Sequence, residues 1–122
     1  MEDIYEYNFE KLNVWKASIA FAKDVYSLTE NFPSSEIYGL TNQIRRAIVS
    51  VSSNIAEGSI RASRADKKRF YDIAAGSLME TLSQIILAKE LGFIAEDIYL
   101  ESRNKLGDVS RMLNSLIKSQ TD

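Results

Sequence analysis

The stretch Gln43-Ile44-Arg45-Arg46-Ala47-Ile48-Val49-Ser50-Val51-Ser52-Ser53-Asn54-Ile55-Ala56-Glu57-Gly58 decides the fold. Together with Ile37 and Leu40 just upstream, Ile44, Ala47, Ile48, Val51 and Ile55 recur at three- and four-residue spacing. That rhythm belongs to a helix with one apolar stripe on a core. The other side is unusual. Gly39, Asn42, Val49, Ser52, Ser53 and Ala56 stand where a solvated helix carries lysine and glutamate. Such a back implies cover on a second side, and large apolar patches are uncommon on monomers. Self-association is therefore expected. Asn54 falls in the seam, where a polar side chain sets register more often than it does chemistry. Ser50, Ser52 and Ser53 read as small residues that let helices approach.

Outward from this segment the punctuation marks three more helices. The first is expected over 13–31, with Phe32-Pro33 ending it. The second is expected over 36–57, with Glu36 favouring the positive end of the helix dipole and Gly58 as a left-handed stop. The third is expected over 64–91, opened by Ser63-Arg64-Ala65-Asp66, which is a near capping box, and closed at Gly92. The fourth is expected over 95–118. Short connections force antiparallel neighbours. The fold class is all-α: an antiparallel up-down-up-down four-helix bundle, one domain over 1–122. Gly76 and Gly107 fall mid-helix at a cost of about 1 kcal/mol each relative to alanine, and close packing is the expected reason.

The composition excludes much chemistry. Histidine and cysteine are both absent. Serine triads, imidazole or thiolate metal sites and disulfides cannot be built without them. No Glu-x-x-Glu pair occurs of the kind that all-helical magnesium-dependent nucleotide hydrolases use, and Asp97 and Glu101 merely share a face. We expect no catalytic, cofactor or metal residues and no small-molecule substrate. The acidic start (Glu2, Asp3, Glu6, Glu10) does not read as a signal peptide, and no window approaches the ~20 apolar residues of a membrane span. No membrane partner and a cytoplasmic location are expected.

One cluster stands out by charge. Arg61, Arg64, Lys67, Lys68 and Arg69 face a single carboxylate, Asp66, within the run 61–69, in a chain of net charge −2. With Arg45 and Arg46, one helix away, they form a candidate phosphate-tracking patch. The competing reading pairs these charges with Glu57 and Asp72 on a solvated turn. Candidate interface residues between copies are Trp15, Ile19, Tyr26, Tyr38, Asn42, Val49, Ser53 and Ala56.

Several motifs also carry a resemblance. Phe9-x-x-Leu12-x-Val14-Trp15, Val25-Tyr26-x-Leu28-Thr29, Phe32-Pro33-x-x-Glu36-x-Tyr38-Gly39-Leu40, Gln43-Ile44-Arg45-Arg46-Ala47 and Ser53-Asn54-Ile55-Ala56-Glu57-Gly58 are followed by Arg61-x-Ser63 and Ile73-Ala74-x-Gly76-Ser77. In order and spacing these resemble the bacterial four-helix-bundle proteins encoded in intervening sequences of 23S ribosomal RNA genes, over roughly residues 9–92. Ser52 departs from the proline usual there. That family is similar in turn to the accessory variability determinant of diversity-generating retroelements, a basic pentamer that partners a reverse transcriptase and RNA. The resemblance implies a homopentameric ring of bundles, with structured RNA or a nucleic-acid-processing protein as the partner. The expected function is a non-enzymatic, self-assembling RNA-binding bundle. The alternative is a protein-protein adaptor ring that binds no nucleic acid.

Overall fold

The structure is a computed structural model that describes residues 3–121. Four helices carry it: α1 (Asn13–Thr29), α2 (Leu40–Ser59), α3 (Arg64–Glu90) and α4 (Glu96–Lys118). Short 3-10 turns precede the first two, at Asn8–Lys11 and Ser34–Glu36. Contacts run α1 to α2, α2 to α3, α3 to α4 and α4 back to α1, with none across the diagonals. Cross-links fix the directions. Arg45 near the start of α2 meets Thr29 at the end of α1, Ser50 meets Ser77 mid-helix, and Lys89 meets Glu96 across the third turn. Each neighbour is antiparallel, as in an up-down-up-down bundle.

The core is the set of stripes that periodicity marks. Ile44, Ile48, Val51 and Ile55 of α2 are fully buried against Leu78 and Ile85 of α3, with Phe21, Val25, Val109 and Leu113 from α1 and α4. The widest contact lies between α2 and α3. Small residues make that possible: Ala47, Ser50 and Gly58 on one helix, Ala74 and Ser77 on the other.

Three boundaries differ from the expectation by two residues or more, each for a local reason. α1 stops at Thr29, whose hydroxyl donates back to the Val25 carbonyl at 2.9 Å, while Asn31 and Phe32 close tighter turns onto Leu28 and Thr29. α2 begins at Leu40 because Gly39 leaves the helical region (φ −113°, ψ −115°). Glu36 still acts on the helix start, but as a cap: its Oε1 accepts the Leu40 amide at 3.1 Å. Ile37 consequently falls outside the core and is exposed. Finally, Gly58 is not a left-handed stop. α2 continues to Ser59, and Gly92 alone among the described residues has a positive φ, at 82°. At Gly92 the chain closes α3 with a Schellman turn, Phe93 N–H on the Ala88 carbonyl and Gly92 N–H on that of Lys89.

What Gly58 provides is space. A Cβ there would lie 2.6 Å from Tyr71 Cε1 and 3.1 Å from Phe70 Cβ. Gly76 is the reverse case. The close packing expected of it is missing, because nothing lies within 4 Å of a Cβ built at that position. At the head of α3, Ser63 Oγ caps the Asp66 amide at 3.1 Å, but the reciprocal arm of the capping box is absent. The Asp66 carboxylate turns to Arg69 instead.

Candidate nucleic-acid interface

The basic cluster forms where α2 turns into α3, and most of its charges already have partners. Arg61 Nη2 lies 2.8 Å from Glu57 Oε2, Lys68 Nζ 2.8 Å from Asp72 Oδ2, and Arg69 Nη2 3.0 Å from Asp66 Oδ1. All three are local pairs at three- or four-residue spacing, two of them within α3, so they cost little order. Phe70 sits between two guanidiniums, with Arg61 at 4.4 Å and Arg69 at 4.5 Å from its ring centroid. This double stack holds both arginines against the turn. Lys67 donates to the Ser59 carbonyl at 2.8 Å, satisfying one of the orphan acceptors at the end of α2. Arg64 is exposed at the first position of α3. Around the turn, among the described residues, five basic side chains meet three carboxylates (Glu57, Asp66, Asp72), so the excess is positive but modest.

Arg45 and Arg46 do not extend this patch. They lie near the start of α2, and thirteen residues of helix separate Arg46 from Ser59, about 20 Å. Arg45 is occupied: Nε donates to Thr29 Oγ1 at 2.8 Å, Nη2 to the Tyr26 carbonyl at 3.3 Å, and the guanidinium stacks 4.7 Å from the Tyr26 ring. Its role here is to clamp α2 onto α1. Arg46 is exposed and makes no hydrogen bond or ion pair with any described residue.

Arg46 instead joins the other candidate set. Tyr26, Asn42, Arg45, Arg46, Val49 and Ser50 line one groove of ≈ 540 Å³. Across the crest of α2, Tyr38, Asn42, Gln43, Arg46, Ser50 and Glu80 line a second of ≈ 390 Å³. Ser53 continues this face as an exposed residue, and Ala56 is half-buried. Trp15 and Ile19 are half-buried on α1, and Trp15 is already covered edge-to-face by Phe9 at 5.0 Å. Ser52, read as part of the outward back, is buried. Asn54 donates to the Ser50 carbonyl at 2.8 Å and to Ser50 Oγ at 3.0 Å, and Ser50 Oγ in turn meets Ser77 Oγ at 2.8 Å. The amide is thus tied to α3 through one hydroxyl.

Two exposed apolar features escaped the sequence reading. Ile73, Met79 and Leu87 lie open on the outer side of α3, flanking Gly76. The clue was present, since α3 carries apolar residues on every side. The other is the segment 3–7, with Ile4, Tyr5 and Tyr7 open to solvent. Among the described residues, no group of three or more acidic side chains could hold a metal, and no helix is long and apolar enough to cross a membrane.

Comparison with known proteins now places the chain. A model of the 23S rRNA-intervening sequence protein family matches residues 10–115. The chain belongs to that family. Among solved structures it is similar to a protein of unknown function from the S23 ribosomal protein family of Bacteroides thetaiotaomicron VPI-5482. The two share 27% identity with a TM-score of 0.77, over 86% of this chain and 98% of that one. No protein of curated function matches. The family match spans all four helices, so the α2–α3 turn and the Arg46 grooves both fall inside the family's shared region.

Proposed function

We propose that this family member is a non-enzymatic, self-assembling bundle that closes into a ring, a pentamer by its resemblance, and binds structured RNA through the α2–α3 turn. The observation that carries the assembly is the outer side of α2 and α3. Val49 on α2 and, flanking Gly76 on α3, Ile73, Met79 and Leu87 are each more than 40% exposed, and the Gly76 Cβ position faces open space. An apolar face of that extent on two adjacent helices is what a partner helix removes from water. The RNA role draws on the basic excess at the turn and on the names of the family and its structural neighbour, which refer to 23S rRNA and to a ribosomal protein. A modest excess per copy, repeated around a ring, gives a multivalent phosphate contact.

Sedimentation of the full chain tests the first half, and titration with structured RNA at several salt concentrations tests the second. Assembly, with affinity that falls steeply as salt rises, is the expected result. A monomer at all concentrations overturns the ring. One observation favours a second reading, an adaptor ring for another protein: Arg61, Lys68 and Arg69 are each matched to a carboxylate of their own chain. Capture of a protein partner that survives nuclease, with no shift of labelled RNA, would select it.

A further inference from the structure

Residues 3–7, ahead of the first 3-10 turn, form an arm whose described backbone is anchored at Tyr7. At Tyr7 the backbone is held by a reciprocal pair, Tyr7 N–H on Glu10 Oε2 at 2.7 Å and Glu10 N–H on the Tyr7 carbonyl at 3.1 Å. Before it, no backbone hydrogen bond to a described residue holds residues 3–6. The arm is strongly apolar for something in water: Ile4 is 90% exposed, Tyr5 74% and Tyr7 60%. Its rings nevertheless form a continuous series, Tyr5 to Tyr7 at 4.9 Å, Tyr7 to Phe9 at 6.4 Å and Phe9 to Trp15 at 5.0 Å. Asp3 and Glu6 give it negative charge.

The groove beside α2 is its complement. Arg46 has no partner among the described residues, Tyr38 is 93% exposed, and the Asn42 and Gln43 amides can both donate to and accept from an extended main chain. The arm cannot reach the groove of its own bundle. Its base lies beside Ser59, about 20 Å along α2 from Arg46, whereas residues 3–6 span at most ~14 Å from Tyr7. A second copy can bring a groove to it.

We propose that residues 3–7 of one copy lie in the α2 groove of the next, with the Glu6 carboxylate on the Arg46 guanidinium and Tyr5 against Tyr38. This rests on the self-assembly reading and names its contact. Because arm and groove are different surfaces, each copy gives one and receives one, and such head-to-tail contacts form a ring where the rotation between copies closes.

Charge exchange in the full chain tests it, with sedimentation velocity as the readout and helical circular dichroism as the check on folding. Glu6→Arg and Arg46→Glu should each weaken assembly at least tenfold while leaving the helical signal intact. The double variant should restore assembly. Tyr5→Ser should also weaken it without any charge change. If both single charge variants assemble like the parent, or the double variant rescues nothing, this contact is wrong while the ring itself stands. A parent chain that is monomeric throughout overturns the assembly reading and the contact with it. Loss of RNA binding in Arg46→Glu with assembly untouched would assign the groove to RNA and refute the arm.

Discussion

Tyr71 lies against Gly58 so closely that the glycine acts as a packing residue. Alanine has the better helix propensity by about 1 kcal/mol, but its methyl would overlap the Tyr71 ring at 2.6 Å. The clash is with an aromatic ring that is itself buried, so it cannot swing aside cheaply. We expect Gly58→Ala to destabilise the bundle by about 1–3 kcal/mol, read from urea unfolding. Gly76→Ala should do the opposite. With nothing near its Cβ position, the substitution should stabilise the fold by about 0.5–1 kcal/mol in dilute solution. Equal effects of the two substitutions would undo this distinction. From sequence alone both glycines were misread, Gly58 as a stop and Gly76 as a packing site. A glycine's purpose depends on what faces it, and the partner of Gly58 lies thirteen positions on, across a turn. Spacing cannot report that. The amphipathic stripes of α2 and α4 were legible because they repeat locally.

Among the elements, α1 and α4 are joined at the edge by one cation. Lys105 Nζ lies 3.2 Å from Asp24 Oδ2 on α1 and 3.3 Å from Glu101 Oε1 on its own helix. The hydrogen bond to Asp24, followed by that to Glu101, holds the ammonium's pKa above its ordinary value. Lys89, bonded chiefly to Glu96 across the α3–α4 turn, is raised in the same sense. A folded-state pKa above the unfolded one means the contribution is complete below the ordinary lysine value. It is lost as pH rises through the folded-state value. Lys105→Met should therefore lower stability near neutrality, only slightly because the pair is solvent-screened, and should converge on the parent at alkaline pH, which flattens that part of the decline. Urea midpoints compared across the two pH ranges check this, and an unchanged alkaline decline would show that the bridge contributes nothing. The capping of α2 by Glu36 belongs to this scale as well. The sequence expected Glu36 in the first turn of α2, whereas it sits ahead of the helix and caps it. The helix begins four residues later than expected because Gly39 breaks the pattern in a way no stripe records. Glu36→Ala should cost about 0.5–2 kcal/mol in the same unfolding measurement, the range for a lost cap.

Across the whole molecule, charge is arranged mostly in short local pairs on a chain of net charge −2, and this bears on how RNA could be held. The pairs Glu57–Arg61, Asp66–Arg69 and Lys68–Asp72 were readable from helical spacing. The stacking of Phe70 between Arg61 and Arg69 was not, since it needs the turn's geometry. Exposed pairs of this kind are weak, about 0–1 kcal/mol, so a phosphate can compete for the cation. The competing carboxylate nevertheless sets a threshold, and removing it should help RNA more than it harms the fold. We expect Asp72→Asn to raise RNA affinity and to steepen the fall of log K with log salt by up to about 0.7–0.9 for the one phosphate contact that Lys68 then gains. Lys68→Gln should lower affinity and leave the slope shallower than in Asp72→Asn. The two substitutions act on opposite partners of one pair, so a general loss of folding cannot imitate the result. If both variants bind RNA as the parent does, the turn makes no phosphate contact through this pair. The basic cluster is then a structural belt, and the adaptor reading gains what the RNA reading loses.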